Sequence, residues 1–210
     1  MVVLLHGLWL QGREFALLRR RLQNSCGFDV EVFRYASVTA TMAQITGELH
    51  QFVAARAPRE LHLVGHSLGG LVAYRFLERF PGQPPGRVVF LGTPAVASRA
   101  ANAVSRMAWA RALLGRPIAE ELLSARQREW SMPRELGIIA GTLALGLGQL
   151  FVRFEEENDG SVAVSETRLP GATDFIAVPV SHFGMLLSAR VASETGRFLV
   201  NGHFSLRAAP

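Results

Sequence analysis

The chain has 210 residues, and all 22 of its basic side chains are arginines, against 17 acidic side chains. Because lysine is absent, the sequence excludes a phosphate-binding loop ending in Gly-Lys-[Ser/Thr], Schiff-base lysine chemistry and Ser-Lys dyads. A hydrophobic fraction of 49% excludes an intrinsically disordered chain, and the length predicts a single domain over residues 1–210.

Short apolar runs without polar alternation predict strands that are buried on both faces. In chain order, these predicted strands are Val2–Leu5, Phe28–Phe33, Leu61–Val64, Arg87–Leu91, Leu136–Ala140 and Phe175–Val180. Helical patterns lie between or after them, at Arg13–Gln23, Thr41–Arg56, Leu68–Phe80, Arg99–Leu114, Ile118–Arg128 and Met185–Leu199. The alternation predicts an α/β fold, with a mostly parallel sheet of about six strands and helices on both faces.

Residues 95–133 place two helical patterns between consecutive strands, where one crossover helix is usual. We expect a helical insertion over one end of the sheet; the alternative is an additional packing helix without a role in substrate binding. The uncharged segment Leu136–Val152 resembles a membrane span, but its glycines and its length favour a buried strand followed by a glycine-rich loop.

The net charge of +5 does not predict a nucleic-acid partner, because the arginines are spread along the chain and only Arg19–Arg21 form a run. The single Cys26 gives no sign of an oxidising compartment, and the apolar run after Met1 lacks the charged start of a leader peptide. We therefore expect a cytoplasmic location.

The sequence Gly65-x-Ser67-x-Gly69 stands directly after a predicted strand and directly before a predicted helix. A sharp strand-to-helix turn exposes the serine hydroxyl, and the helix directs free N–H groups toward a developing oxyanion. Ser67 is therefore the predicted nucleophile. The alternative is a serine that only caps the helix.

Serine needs a base, and the chain has six histidines. His62 and His66 have the i, i+4 spacing of a zinc helix, but on a strand they would be about 13 Å apart, so no metal site is expected. His182 follows the last predicted strand, at the same end of the sheet as Ser67. It is preferred to His203, which follows the final helix.

Few residues could be the acidic partner of the histidine, because the only aspartates are Asp29, Asp159 and Asp174. Asp29 and Asp174 precede their strands and would lie at the wrong edge. Asp159 lies in a turn sequence after the fifth predicted strand, where it would orient His182. Glu155, Glu156 and Glu157 are rivals in the same segment, for which a solvated acidic turn is the alternative interpretation.

An oxyanion hole needs two backbone donors. The N–H of Leu68, which follows the nucleophile, is one of them. The second is assigned to Leu8, because the His6-Gly7 sequence lets the backbone after the first strand approach closely. A strand order of 2-1-3-4-5-6 would bring this loop and Ser67 to the same crevice.

These features together resemble the α/β-hydrolase superfamily, especially its bacterial lipase and esterase branch. The resemblance lies in the order Ser67, Asp159, His182, the Gly-His-Ser-Leu-Gly-Gly elbow, the early His6-Gly7 and the Leu91-Gly92-Thr93-Pro94 segment. It implies that Asp159-Gly160-x-Val162 carries the acid and that residues 95–133 form a lid. Two departures are expected: a minimal fold that begins at the family's third strand, and Ala95-Val96-Ala97-Ser98 after Thr-Pro in place of the usual Gly-Ser pair.

The predicted function is hydrolysis of carboxylic esters by a cofactor-free Ser-His-Asp enzyme, with a small acyl ester or a lipid as substrate. The apolar residues expected to bind substrate, which would otherwise be ordinary core, are Trp9, Val104, Met107, Trp109 and Leu113. Arginines outnumber acids in and around the insertion, which predicts weak contact with an anionic membrane surface. A thioesterase or acyltransferase with the same triad and a non-catalytic binding protein on the same fold stay as alternatives, and the oligomeric state is open.

Overall fold

The six apolar runs of the sequence form the strands of one sheet. The computed structural model describes residues 1–96, 117, 128–145 and 156–205. The strands are β1 (Val2–Leu5), β2 (Val30–Phe33), β3 (His62–His66), β4 (Val88–Leu91), β5 (Leu136–Gly141) and β6 (Asp174–Val178). All neighbouring pairs are parallel, in the order β2-β1-β3-β4-β5-β6, which confirms the predicted sheet.

Register aligns the carboxyl ends of the central strands. Leu5 at the end of β1 pairs with Gly65 of β3, and His66 at the end of β3 pairs with Leu91 of β4. Strand β3 therefore runs two residues further than predicted and ends directly before Ser67. Because all six strands are parallel, the loops that follow them meet at one edge of the sheet, here called the carboxyl edge.

Six α-helices lie wholly within the described ranges. They are α1 (Ala16–Cys26), which follows a 3₁₀ turn at Arg13–Phe15, α2 (Met42–Ala54), α3 (Leu68–Arg79), α4 (Val164–Thr167), α5 (Gly184–Leu187) and α6 (Ala189–Asn201). Helix α2 begins with a capping box, in which Thr41 Oγ1 accepts from Gln44 N and the Gln44 side chain accepts from Thr41 N. The short helix α4 was not predicted.

The helix predicted over Met185–Leu199 is in fact two helices. Ser188 adopts an extended conformation with ψ of 126°, and its hydroxyl accepts a hydrogen bond from Val191 N at 3.2 Å. A serine in this geometry satisfies a free N–H at the start of α6 and ends α5 at the same time.

Apolar side chains alternate between the two faces of the sheet, so the protein has two hydrophobic cores. Val3 and Leu5 pack with α2 and α3 on one face. Val2 and Leu4 pack with α1 and α6 on the other. The prediction of helices on both faces is confirmed.

Most of the predicted insertion lies outside the described residues. This holds for the whole helix predicted over Arg99–Leu114 and for the helix predicted over Ile118–Arg128 except Arg128 itself. Where the chain is described again, Arg128 Nη1 donates to Ala95 O at 3.2 Å, and Trp130 packs edge-on against Phe90. The membrane-like segment begins as the buried strand β5. Across the described ranges, no helix reaches the length and hydropathy needed to cross a bilayer.

Candidate active site

Ser67 occupies the sharp turn between β3 and α3. Its backbone has φ of 55° and ψ of −120°, a conformation that residues with a side chain rarely adopt. The turn is held in place because Ser67 N donates to Leu91 O of β4 at 2.9 Å. Helix α3 begins at the next residue, so the N–H groups of its first turn have no partners within the helix and face this point.

The glycines around Ser67 are required by close backbone contacts. A Cβ atom on Gly69 would lie 2.0 Å from Leu5 O, and one on Gly65 would lie 2.4 Å from Gly70 N. The first turn of α3 therefore packs directly on the backbone of β1. This packing explains why the motif needs glycine on both sides of the serine.

His182 and Asp159 form a hydrogen-bonded pair at the carboxyl edge. Asp159, in the loop after β5, is 1% exposed, and its Oδ2 lies 2.7 Å from His182 Nδ1. Asp159 Oδ1 accepts from Ser161 N at 2.9 Å and Val162 N at 2.7 Å. Since a carboxylate accepts from an N–H, Nδ1 carries the proton in this arrangement and Nε2 is the nitrogen free to act as a base.

Two contacts bring this pair to the serine turn. His66, the residue before Ser67, lies with Nε2 2.9 Å from His182 O, and the two imidazole rings are 4.7 Å apart. Gly92, after β4, lies beneath the pair: a Cβ there would be 2.9 Å from Asp159 Oδ2 and 3.1 Å from His182 Nδ1. The structure thus collects the three residues of the predicted triad at one edge of the sheet.

The loop after β1 lies against Ser67, as the predicted oxyanion hole requires. A Cβ on Gly7 would be 3.3 Å from Ser67 Cβ, so the backbone passes next to the serine side chain. Trp9 N donates to Ser37 Oγ at 3.1 Å and is already engaged. Leu8 N, on the residue after Gly7, and Leu68 N, on the residue after Ser67, stay the predicted donors.

His6 and Tyr35 contact each other and support this loop, a role that the sequence did not reveal. The two rings stack with centroids 4.0 Å apart, and the Tyr35 hydroxyl donates to His6 O. Tyr35 N lies 3.3 Å from His6 Nε2, and His6 Nδ1 lies 2.9 Å from Gly7 O. Burial lowers the pKa of His6, so the ring stays neutral and can accept at one nitrogen and donate at the other.

His66 is a second support, adjacent to the nucleophile. Burial lowers its pKa to about 3, and the nearby His182 acts in the same direction. A neutral His66 donates through Nε2 to the backbone of His182, and its Nδ1 has no hydrogen-bond partner. The ring therefore adds no positive charge beside His182.

The other histidines and acidic residues considered in the sequence analysis lie at other places in the fold or make other contacts. His203 follows α6 at the amino edge, and His50 stacks on Phe80. The buried His62 accepts from Arg87 N at 3.0 Å, and burial lowers its pKa to about 4. Glu156 and Glu157 are exposed, while Glu155 lies outside the described residues.

The predicted substrate-binding residues can be placed only in part. Trp9 lies in the loop after β1 with 62% of its surface exposed, whereas Val104, Met107, Trp109 and Leu113 lie outside the described residues. Two surface grooves, of about 510 and 590 Å³, lie at the β2 edge and near His203, and neither is lined by Ser67. Among the residues with described positions, no cluster of His, Cys, Asp or Glu could hold a metal ion.

Solved structures of similar shape include lipases. Mature Bacillus licheniformis lipase BlEst2 superposes with a TM-score of 0.70 at 22% identity, covering 88% of this chain and 85% of the lipase. Its propeptide form gives 0.75 at 21% identity, covering 99% of this chain and 52% of that one. A Paleococcus ferrophilus monoacylglycerol lipase gives 0.63 at 17%, covering 96% and 92%. At such identities these similarities show the fold alone.

Family membership follows from the sequence match. No curated protein matches the chain. A family model described as the alpha/beta hydrolase family, however, matches residues 2–200, which include the serine turn, the Asp159 loop and the His182 loop. The superfamily resemblance read from the sequence motifs is thereby confirmed, and the chain belongs to the alpha/beta hydrolase family.

Proposed function

We propose that this protein is a cofactor-free serine hydrolase that cleaves carboxylic esters through an acyl-enzyme. The observation that carries the proposal is the buried Asp159–His182 pair, with 2.7 Å between Oδ2 and Nδ1, beside a serine held at positive φ. A serine hydroxyl becomes a useful nucleophile only when an oriented base takes its proton, and this arrangement supplies such a base.

In the acylation step, Ser67 Oγ attacks the ester carbonyl carbon while His182 Nε2 takes the hydroxyl proton. The carbonyl oxygen becomes an oxyanion and accepts hydrogen bonds from Leu8 N and Leu68 N. Asp159 stabilises the imidazolium, with its second oxygen already held by two backbone N–H groups. The C–O bond to the alcohol then breaks, and the alcohol leaves with the proton from Nε2.

In the deacylation step, His182 Nε2 takes a proton from water as the water oxygen attacks the acyl carbon of acyl-Ser67. The second oxyanion uses the same two N–H donors. The bond to Ser67 Oγ breaks, Ser67 regains the proton from Nε2, and the carboxylic acid leaves. The neutral His66 contributes by holding the His182 backbone without competing for the positive charge.

An apolar acyl ester is the substrate class that fits best. The loop after β1 carries the exposed Trp9, and the similar solved structures include a lipase and a monoacylglycerol lipase. The acyl chain would contact Trp9 together with Val104, Met107, Trp109 and Leu113 of the insertion.

Labelling with a fluorophosphonate probe, followed by peptide mapping, tests the proposal. Wild type should carry the label on Ser67, and the Ser67→Ala and His182→Ala variants should lose it. His203→Ala is the matched control and should label normally, because that histidine lies at the amino edge. A folded wild-type protein that neither labels nor cleaves short p-nitrophenyl esters would contradict the proposal.

A further inference from the structure

The exposed apolar side chains of this protein are concentrated at one edge. Among the described residues, seven large apolar side chains are exposed. Six of them follow strands at the carboxyl edge or lie in the first turn of α1, and only Val200, near the end of α6, lies at the opposite edge. The six are Trp9, Leu17, Leu143, Leu145, Phe183 and Leu187. Such a one-sided distribution is not what scattered surface residues produce.

Part of this set lies on α1 and α5, two helices that are in contact. Arg21 Nη1 of α1 donates to Leu187 O of α5 at 2.6 Å, so the two helices are in contact. Leu17 lies one turn before Arg21, and Phe183 lies one turn before Leu187. We call Leu17, Phe183 and Leu187 the apolar rim. It borders the triad, because His182 directly precedes Phe183.

Two exposed arginines, Arg13 and Arg20, lie four positions before and three positions after Leu17 of the apolar rim. Exposed Arg13, Arg19 and Arg34 line the groove of about 510 Å³ at the β2 edge, together with Arg56. The one acidic residue in that lining is Glu31, whose Oε1 lies 3.4 Å from Arg56 Nε.

On the α1 side of the carboxyl edge, acidic side chains balance the positive charge of the arginines only in part. Arg20 adds a further exposed guanidinium on α1. Nearby Glu14 is half-buried and accepts from Gly12 N. The exposed acids Glu156 and Glu157 belong to the loop after β5.

We propose that the α1 side of the carboxyl edge, with the apolar rim and the nearby arginines, docks on the surface of an anionic phospholipid bilayer. The apolar rim would enter the headgroup region, and the arginines would face lipid phosphates, which the planar guanidinium group binds with two parallel hydrogen bonds. Charge complementarity favours this partner, because exposed apolar side chains beside an excess of exposed arginine match a negatively charged lipid surface. Docking in this orientation would turn the triad toward the membrane. The docking itself involves no catalytic step.

Co-sedimentation of the full chain with vesicles tests the docking. Wild type should bind vesicles of phosphatidylcholine with 30% phosphatidylglycerol at least tenfold more tightly than pure phosphatidylcholine, and higher salt should weaken that binding. Replacing two rim leucines, as Leu17→Ser with Leu187→Ser, should weaken binding about tenfold. Val200→Ser is the matched control, because Val200 is 55% exposed against 49% for Leu187 but lies at the opposite edge.

A second pair of variants tests the charges. Arg13→Gln with Arg20→Gln should lower binding to the anionic vesicles about tenfold or more, since each arginine near the surface contributes about fivefold. Arg197→Gln, an exposed arginine near the end of α6, should change nothing.

Three results would overturn the docking proposal. They are no binding to either vesicle, equal losses in the rim variant and the Val200→Ser control, and rim-dependent self-association in place of lipid binding. Failure of the proposed ester hydrolysis would be recognised separately. The Leu17→Ser, Leu187→Ser variant should cleave a short water-dissolved p-nitrophenyl ester at the wild-type rate, whatever the vesicles show.

Discussion

Replacing Gly92 with alanine should disturb the Asp159–His182 pair without touching either residue chemically. Gly92 has φ of +54°, and an added Cβ would lie 2.9 Å from Asp159 Oδ2, 3.1 Å from His182 Nδ1 and 3.1 Å from Met185 Cε. The carboxylate cannot retreat freely, because backbone N–H groups hold its other oxygen. The pair must therefore shift as a unit, away from its position beside Ser67.

The size of the effect follows from these distances. The pair must move by about half an ångström to reach the ordinary contact distance of 3.4 Å. A displacement of about 1 Å typically costs about 10²-fold in rate, so we expect kcat/KM to fall between about 10-fold and 100-fold. The positive φ adds a separate cost of about 1 kcal/mol in the free energy of unfolding.

Gly27→Ala provides the matched control for backbone strain. Gly27 ends α1 with φ of +68°, and an added Cβ there would meet nothing within 4 Å. Gly27→Ala should lose about 1 kcal/mol in urea unfolding, and Gly92→Ala should lose at least as much, because its Cβ also displaces the pair. Only Gly92→Ala should lose p-nitrophenyl butyrate hydrolysis, with a ΔΔG‡ of about 1.4 to 2.7 kcal/mol from kcat/KM. Equal activity in the two variants would refute a catalytic role for the pair.

Three further outcomes follow from the site. Asp159→Asn should lower kcat by about 10⁴-fold in steady-state assays, whereas Glu156→Gln, an exposed neighbour in the same loop, should keep it. Tyr35→Phe removes the hydroxyl that donates to His6 O, so kcat should fall about tenfold with KM unchanged, and unfolding should show a loss of about 1–3 kcal/mol. Stability should fall as the pH drops from about 6.5 toward 4, because the unfolded chain protonates His62 and His66 while burial keeps both neutral in the native state. The loss by pH 5, measured by urea unfolding, should be about 4 kcal/mol, and a flat profile would contradict the buried neutral histidines.

The sheet could be predicted from sequence because its strands are buried on both faces. Val2–Leu5 and Val88–Leu91 are uninterrupted apolar runs, and both form strands with every residue buried. The alternation with helices then left a parallel sheet as the consistent topology. Boundaries were less well predicted where tertiary pairing extends a strand. His66 belongs to β3 because it pairs with Leu91, which no local pattern indicates.

The site was predictable where a motif fixes the backbone and unpredictable where support comes from distant residues. Gly65 and Gly69 flank Ser67 in sequence, so the serine turn was visible locally. Tyr35 reaches His6 across 29 positions of sequence, and His66 reaches His182 across 116. The break at Ser188 was missed because its neighbours continue the apolar spacing, and only the hydroxyl at the α6 N-terminus shows where the helix restarts.

The most direct measurement of the central claim is to trap the acyl-enzyme. Wild type mixed with p-nitrophenyl butyrate and quenched in acid within the first turnovers should gain the mass of one butyryl group on the peptide that contains Ser67. The adduct should be absent in Ser67→Ala and form far more slowly in His182→Ala. An adduct on another residue, or ester cleavage that persists unchanged in Ser67→Ala, would contradict the account.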